Sequence, residues 1–246
     1  MGDRVVPAFA RTIGIDYSGA ETPTASLKGL RVYLAEGDAS PVEVLPPPSP
    51  RKYWTRKGIA EWLVARLADD IPTLVGIDHG FSFPLRYFEV HHLLRDWPTF
   101  LDDFQRHWPT DEDHTYVDFV RYGAHGNGAA RMGNARWRRL TEERTSGAKS
   151  VFHFDVQGSV AKSTHAGIPW LRFIRGRIRS KVHFWPFIVG TFRRDVRPSP
   201  RSIRRFGAAA LPWRAERQTN TTPTASPLGF LTPIGTAPLL ASLNLN

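Results

Sequence analysis

The pattern of apolar and polar positions predicts a mixed α/β fold. Apolar and polar residues alternate over 11–16 and 30–36, and a third short run covers 41–45 before three consecutive prolines. Alternation of this kind is typical of half-buried strands, and three in succession predict an antiparallel meander. Residues 59–68 carry apolar side chains at helical spacing, while 72–78 form a continuous apolar run, as expected for a strand buried on both faces. This order of elements predicts a mixed sheet.

Further helices are predicted after the fourth strand. Residues 87–150 are polar and aromatic, with helical pieces at 99–108 and 116–122, and we expect them to form an insertion over one face of the sheet. Another helix is predicted over 160–175. Gly167-Ile-Pro169 lies inside it, and a proline there is expected to kink the helix or start it afresh.

Charge divides the chain near Phe187. The formal net charge is +10, but residues 1–188 contribute only +4, and residues 189–246 supply the other +6 with eight arginines and two acids. No charged residue occurs after Arg217, and no helix or strand period is evident there. We therefore expect a domain over 1–187 and a divergent, largely irregular tail over 188–246.

Composition excludes several classes of chemistry. The chain has no cysteine, which excludes disulfides, thiol nucleophiles and Cys-ligated zinc. No apolar run approaches the roughly 18 residues of a membrane span, and the first residues lack the apolar segment of a secretory signal. We expect a cytoplasmic protein without a membrane partner; its oligomeric state is not indicated.

Two strands each deliver one carboxylate at their carboxyl end. Gly14-Ile-Asp16 and Gly76-Ile-Asp78 both place an aspartate where open α/β sheets bind ligands. On neighbouring strands, the two carboxylates would repel each other unless a divalent cation lay between them. Oxygen ligands favour Mg²⁺ or Mn²⁺, so Asp16 and Asp78 are candidate metal ligands and catalytic residues. The alternative is that each aspartate caps the turn that follows its strand.

Other polar groups lie close to these aspartates in sequence. His79, directly after Asp78, is a candidate catalytic residue because a neutral imidazole beside a metal could shuttle protons. Ser18 is expected to be a turn hydroxyl that bonds nearby backbone. His165 is expected either to face the same cleft or to pack against the sheet. Four further histidines could serve zinc but are expected to be surface residues: His91, His92, His107 and His114.

Three motifs in order resemble a known family. They are Ile13-Gly-Ile-Asp-Tyr-Ser-Gly19, Val75-Gly-Ile-Asp-His-Gly-Phe-Ser-Phe-Pro84 and Gln157-Gly-Ser-Val-Ala-Lys-Ser-Thr-His-Ala-Gly-Ile-Pro169. The chain from about 11 to 187 is similar to an uncharacterised bacterial family of the ribonuclease H-like superfamily, whose members are described as predicted nucleases. The resemblance implies a five-stranded mixed sheet with helices on both faces, and Asp16 and Asp78 as its first two carboxylates. The same superfamily includes ATP-binding phosphotransferases.

The family's last strand, of the type A-E-V-Y-P, and its acidic helix, of the type D-Q-H-D-A-Y, are missing. We interpret this as a shifted reading frame: restoring one nucleotide before the Ile188 codon lets 188–206 and 219–227 encode both motifs, in order. Without that strand and helix, one edge and one face of the sheet would be left uncovered. The further carboxylate that the acidic helix carries in the family would also be missing. Half a coordination shell binds a hard cation weakly, so we expect low or absent activity. Sequencing the coding DNA tests this hypothesis.

Two basic segments could contact nucleic acid. The candidate phosphate-binding residues are Arg136, Arg138, Arg139, Arg175 and Arg177. The alternative is a solvated helix face, because Glu142 and Glu143 offset the first cluster. The sequence thus predicts a Mg²⁺- or Mn²⁺-dependent nuclease homologue, impaired in this chain. Alternatives are a non-catalytic nucleic-acid-binding or scaffold protein and, third, an ATP-binding phosphotransferase.

Overall fold

The computed structural model describes residues 9–48 and 51–187. The strands in these ranges are β1 (Arg11–Asp16), β2 (Arg31–Glu36), β3 (Val42–Val44) and β4 (Thr73–Ile77). The α-helices are α1 (Arg56–Ala68), α2 (Leu85–Val90), α3 (Trp97–His107), α4 (Val117–Arg121), α5 (Leu140–Arg144) and α6 (Ala161–Ile178). Short 3-10 helices cover Gly128–Arg131 and Arg179–Lys181. The predicted tail, 188–246, lies outside the described residues.

The four strands form one mixed sheet in the order β3-β2-β1-β4. The first three are antiparallel neighbours, which confirms the predicted meander. β4 returns parallel to β1, with Gly14 opposite Gly76 and Ile15 opposite Ile77. The connection that makes this possible runs through α1, as a parallel neighbour requires. The predicted mixed α/β class is confirmed.

One face of the sheet packs against α1 and α6, and we call it the inner face. Ile13 and Ile15 of β1 are buried there, together with Ile59 and Leu63 of α1. α1 begins after Thr55, whose hydroxyl accepts the Gly58 N–H at 2.9 Å. This cap satisfies one of the amides that a helix leaves unbonded at its start.

The opposite face, here the outer face, is exposed in the described part of the chain. Along β1 the burial alternates residue by residue, and Asp16 lies on the exposed side together with Gly14. Leu74 on β4 is 39% exposed, so the expectation that this strand is buried on both faces is wrong. The physical reason is that α1 and α6 both cover the inner face. Helices on both faces are not seen within 9–48 and 51–187.

α6 continues through Pro169 as one helix. A proline inside a helix has no N–H, which frees the carbonyl four residues earlier. That carbonyl belongs to His165, and it accepts instead the buried hydroxyl of Thr110 at 2.8 Å. The restart expected at Pro169 is therefore wrong, and the other alternative, a kink there, stays a prediction. A side chain from the preceding segment replaces the missing donor.

The region over 87–150 contains the two predicted helical pieces, now α3 and α4. α3 packs along α6. Between them lies an aromatic cluster whose rings surround His165: Phe83, Phe104, Trp108, Phe152 and Phe154. His165 is completely buried among these rings. It therefore neither faces the cleft at the aspartates nor packs against the sheet, and both expectations for it are wrong.

Candidate metal and nucleic-acid site

Asp16 and Asp78 end two neighbouring parallel strands on the same face of the sheet. Asp16 is the last residue of β1, and Asp78 directly follows β4. The backbone N–H of Asp78 donates to the carbonyl of Ile15 at 2.9 Å, which extends the strand pairing to this position. Both aspartates are exposed, on the outer face. The strand arrangement that a shared carboxylate site requires is present.

The two carboxyl groups interact electrostatically. Desolvation by the surrounding protein raises the pKa of Asp78, and the negative charge of Asp16 raises it further. Desolvation also raises the pKa of Asp16, although a backbone hydrogen bond at Tyr17 and the charge of Arg31 oppose the shift. Arg31 lies directly across from Asp16 on β2. A pair of this kind is stabilised by a proton or by a cation.

The two carboxylates are of the chemical type that a hard divalent cation prefers, but they are too few to fill its coordination shell. Carboxylate oxygens are the ligands that Mg²⁺ and Mn²⁺ prefer. Among the residues that the structure describes, however, no cluster of three or more histidines or acidic residues could hold a metal. The site therefore offers two carboxylates, and a full coordination shell would need further ligands or water.

Glycines leave the outer face open beside the aspartates. Gly14 and Gly76 are opposite each other, each two residues before its aspartate and on the same face. An ideal Cβ built at either position meets no atom of residues 9–48 or 51–187 within 4 Å. Glycine inside a strand is often found where a ligand or another backbone approaches closely.

Tyr17 and His79 lie beneath the aspartates, toward α6. Their rings pack edge to face with centroids 4.7 Å apart. The His79 Nδ1 lies 2.9 Å from the Gly80 carbonyl, so Nδ1 carries the proton and Nε2 is an acceptor. An added Cβ at Gly167 would lie 2.5 Å from Nε2, so the ring faces α6.

This environment keeps His79 neutral. Desolvation lowers its pKa to about 4, and the charge of Arg139 contributes, despite the hydrogen bond to Gly80. The ring faces α6 and binds its own turn. The proton-shuttle role of His79 stays a hypothesis.

The turn after β1 is fixed by a buried arginine. Arg56 is completely buried and donates to the carbonyls of Ser18, Ala20 and Glu21, at 3.1, 2.6 and 2.7 Å. Gly19 contacts α6 so closely that an added Cβ would overlap the backbone of Lys162. The Ser18 hydroxyl accepts the Ala20 N–H at 3.3 Å, which confirms its prediction as a turn hydroxyl.

The turn after β4 is fixed to the same helix. The Gly80 N–H donates to the Thr164 hydroxyl at 2.8 Å. Arg139 also lies against Gly80. Glu142, whose side chain is completely buried, accepts the Arg139 Nε at 2.9 Å and the Arg139 backbone N–H at 2.8 Å. α6 thus positions both turns that carry the aspartates.

The candidate phosphate-binding arginines lie in two segments of the chain, before α5 and at the end of α6. Arg139 lies beside Gly80, near Thr164 at the start of α6, and is paired with Glu142. Arg175 and Arg177 lie in the last turns of α6, about 15–20 Å further along its axis. Arg177 lies over the Phe173 ring at 5.0 Å.

Arg136 and Arg138 are exposed, and among the described residues their side chains have no hydrogen-bond or ion-pair partner. These two remain available to a phosphate.

The histidines weighed as zinc ligands make other contacts. His91 Nε2 lies 2.9 Å from the Met132 carbonyl, and His107 Nδ1 lies 2.8 Å from the Asp103 carbonyl. Both are half-buried, and His92 and His114 are exposed. No group of three metal-binding side chains forms from them within the described ranges.

Sequence reasoning missed Tyr17, Arg56 and Gly167 as parts of this region. Strand alternation could have found Tyr17, since a residue next to an outward aspartate points inward. Arg56 carries no sequence signal, because an arginine in the first turn of a helix is ordinarily exposed.

No family model, curated protein or solved structure matches the chain. Among the described residues, none of the helices has the length and apolarity to cross a bilayer.

Proposed function

We propose that this chain is a homologue of Mg²⁺- or Mn²⁺-dependent nucleases of ribonuclease H-like fold, with reduced activity. The observation that carries the proposal is the pairing of Asp16 with Asp78 on one face of two adjacent parallel strands. The raised pKa of each carboxyl is consistent with a site that favours a cation. The family resemblance of the three motifs supports the same reading.

The chain's own residues supply binding and positioning. Asp16 and Asp78 would hold the ion, and the buried Arg56 fixes the turn that follows Asp16. Gly14 and Gly76 leave the face beside the carboxylates open to a phosphodiester strand. A bound Mg²⁺ or Mn²⁺ supplies positive charge that activates water and stabilises the phosphorus centre in the transition state.

We infer the reduced activity from the number of ligands that the described residues offer. Two carboxylates bind a hard cation weakly, and weak binding limits the fraction of loaded protein. The region where the reading-frame hypothesis places the later carboxylate, 188–246, lies outside the described residues.

The test is cleavage by the full chain of labelled single- and double-stranded DNA and RNA in Mn²⁺. We expect slow cleavage that EDTA stops and that both Asp16→Asn and Asp78→Asn abolish. Asp38→Asn is the matched control, since Asp38 is exposed and lies in the turn between β2 and β3. Cleavage that persists unchanged in Asp16→Asn contradicts the proposal, as does rapid cleavage at micromolar Mn²⁺.

A second candidate is a nucleic-acid-binding protein without catalysis. It is favoured by the exposure of Arg136 and Arg138 without side-chain partners in the described part of the chain. Binding of a labelled oligonucleotide that falls steeply with salt, and that Arg136→Ser with Arg138→Ser weakens, supports this candidate if no cleavage occurs. No specific observation favours the ATP-binding phosphotransferase.

A further inference from the structure

A small cavity lies on the inner side of the sheet, beneath the aspartate-bearing strand ends. It measures about 10 Å³ as the space open to the centre of a water molecule, which is close to the volume that one water needs. Its lining includes four polar side chains from four parts of the fold, together with apolar residues of α1 and α6. The four are Tyr17, Arg56, His79 and Trp170.

Three of these side chains carry buried polar atoms without a hydrogen-bond partner in the described ranges. They are the Tyr17 hydroxyl, the Arg56 Nε and the Trp170 Nε1. Tyr17 is 8% exposed, Trp170 5% and Arg56 0%. Buried polar groups are nearly always hydrogen-bonded to protein or to ordered water, so three unpaired polar atoms on side chains that line one cavity need a common explanation.

We propose that the cavity holds one ordered water molecule that links these groups. A water offers two donors and two acceptors. The Trp170 Nε1–H and the Arg56 Nε–H are donors that it can accept. The His79 Nε2, which the Nδ1 bond to Gly80 leaves as an acceptor, and the Tyr17 oxygen can take its two hydrogens. These four contacts use both hydrogens and both lone pairs of the water, and of the groups named only the Tyr17 O–H hydrogen has no place in this arrangement.

This water joins the two turns that carry the aspartates to both covering helices. Tyr17 follows Asp16 and His79 follows Asp78, while Arg56 belongs to α1 and Trp170 to α6. The proposed water does not depend on the proposed catalytic chemistry, so each of the two proposals can be tested independently of the other.

Tyr17→Phe tests the proposal through the sign of its effect. If the hydroxyl is unbonded, its removal relieves a buried polar group and raises the melting temperature. If the hydroxyl bonds a water, its removal breaks a hydrogen bond and lowers the melting temperature by about 2–4 °C in a domain of this size. We expect the decrease. The matched control is Tyr122→Phe, which removes a hydroxyl from a side chain that is 72% exposed and should leave the melting temperature within about 1 °C.

A crystal structure of the full chain at high resolution provides the direct measurement. We expect one density peak within about 3 Å of both the Tyr17 hydroxyl and the Trp170 Nε1. A cavity without a peak, or an unchanged or raised melting temperature in Tyr17→Phe, overturns the proposal.

Discussion

Arg139 and Glu142 form an ion pair in which the Glu142 side chain is completely buried, and Arg139 contacts the turn after β4. One Glu142 oxygen binds both Nε and Nη2 of Arg139, at 2.9 and 2.7 Å, and the other accepts the Arg139 backbone N–H. Arg139 lies in turn against Gly80, two residues after Asp78. A carboxylate without solvent is tolerated only when partners of this kind replace its hydration.

Replacement of Glu142 by glutamine should therefore be costly. We expect Glu142→Gln to lower the free energy of unfolding by about 3 kcal/mol, because it leaves the Arg139 charge without its partner. Glu143→Gln is the matched control on the same helix, and at this exposed position the change should stay within about 0.5 kcal/mol. Urea unfolding measures both. If the two substitutions lower the free energy of unfolding by the same amount, the buried ion pair does not contribute to stability as we expect.

Neutralising one aspartate of the pair should stabilise the fold at neutral pH. A carboxyl whose pKa is higher in the folded state than its ordinary 3.8 is favoured when protonated, so its charged form weakens folding at pH 7. We expect Asp78→Asn to raise the melting temperature by about 1–2 °C at pH 7, since the group is exposed and the repulsion is screened.

That gain should fade as the pH falls toward 3.8 and the wild-type carboxyl takes up its proton. Thermal unfolding across this pH range, with Asp38→Asn as the reference, measures the effect. A lower melting temperature for Asp78→Asn at pH 7 would contradict the raised pKa of Asp78 in the folded state.

Acid should destabilise the protein through His165. Desolvation among aromatic rings lowers the pKa of His165 to about 3, against an ordinary value of 6.5. The unfolded chain therefore binds a proton first as pH falls through 6.5, and stability is lost below that value until the folded state also protonates near 3. For one such histidine the loss is about 2 kcal/mol between roughly pH 8 and pH 5.

His165→Gln should remove this part of the pH dependence, whatever its effect on stability itself. His114→Gln, at an exposed position, should leave the slope of stability against pH unchanged. Urea unfolding at several pH values measures both slopes. An unaltered slope in His165→Gln would mean that another group accounts for the acid sensitivity.

Two glycines near the site should respond in opposite ways to a larger side chain. Gly76→Val adds a β-branched residue to a strand where no atom in the described part of the chain lies within 4 Å of the new Cβ, so the melting temperature should stay constant or rise by a few degrees. Gly19→Ala would overlap the backbone of α6 and should cost about 2 kcal/mol or more. A large decrease in the melting temperature for Gly76→Val would show that the outer face is covered.

The sheet was predictable because its signals are local. Alternation along β1 and β2 and the helical spacing of α1 identified these elements, and the shared Gly-Ile-Asp pattern led to Asp16 and Asp78. The prediction that β4 is buried on both faces was wrong. Apolar composition does not reveal that α1 and α6 both pack against the inner face of the sheet. In α6, the His165 carbonyl that Pro169 leaves free is bonded by Thr110, 55 residues earlier in the chain, and no local pattern shows such a contact.

The surroundings of the site depend on long-range contacts that a single sequence does not display. Arg56 reaches the turn after β1 from a helix 35 or more residues later. Arg139 was predicted from its basic neighbours as a phosphate contact, but its guanidinium is engaged by Glu142 only three residues away. Helix periodicity allows such a pair, and only the fold shows that Glu142 is buried.

Binding of Mn²⁺ to the full chain tests the central claim most directly. Isothermal titration should show one site in wild-type protein with a dissociation constant on the order of 1 mM, as expected for two carboxylates without a complete shell. Asp16→Asn and Asp78→Asn should each abolish this binding, while Asp38→Asn should retain it. Wild-type protein that binds no Mn²⁺, or binding that survives in both asparagine variants at the site, would contradict the account of Asp16 and Asp78 as a shared cation site.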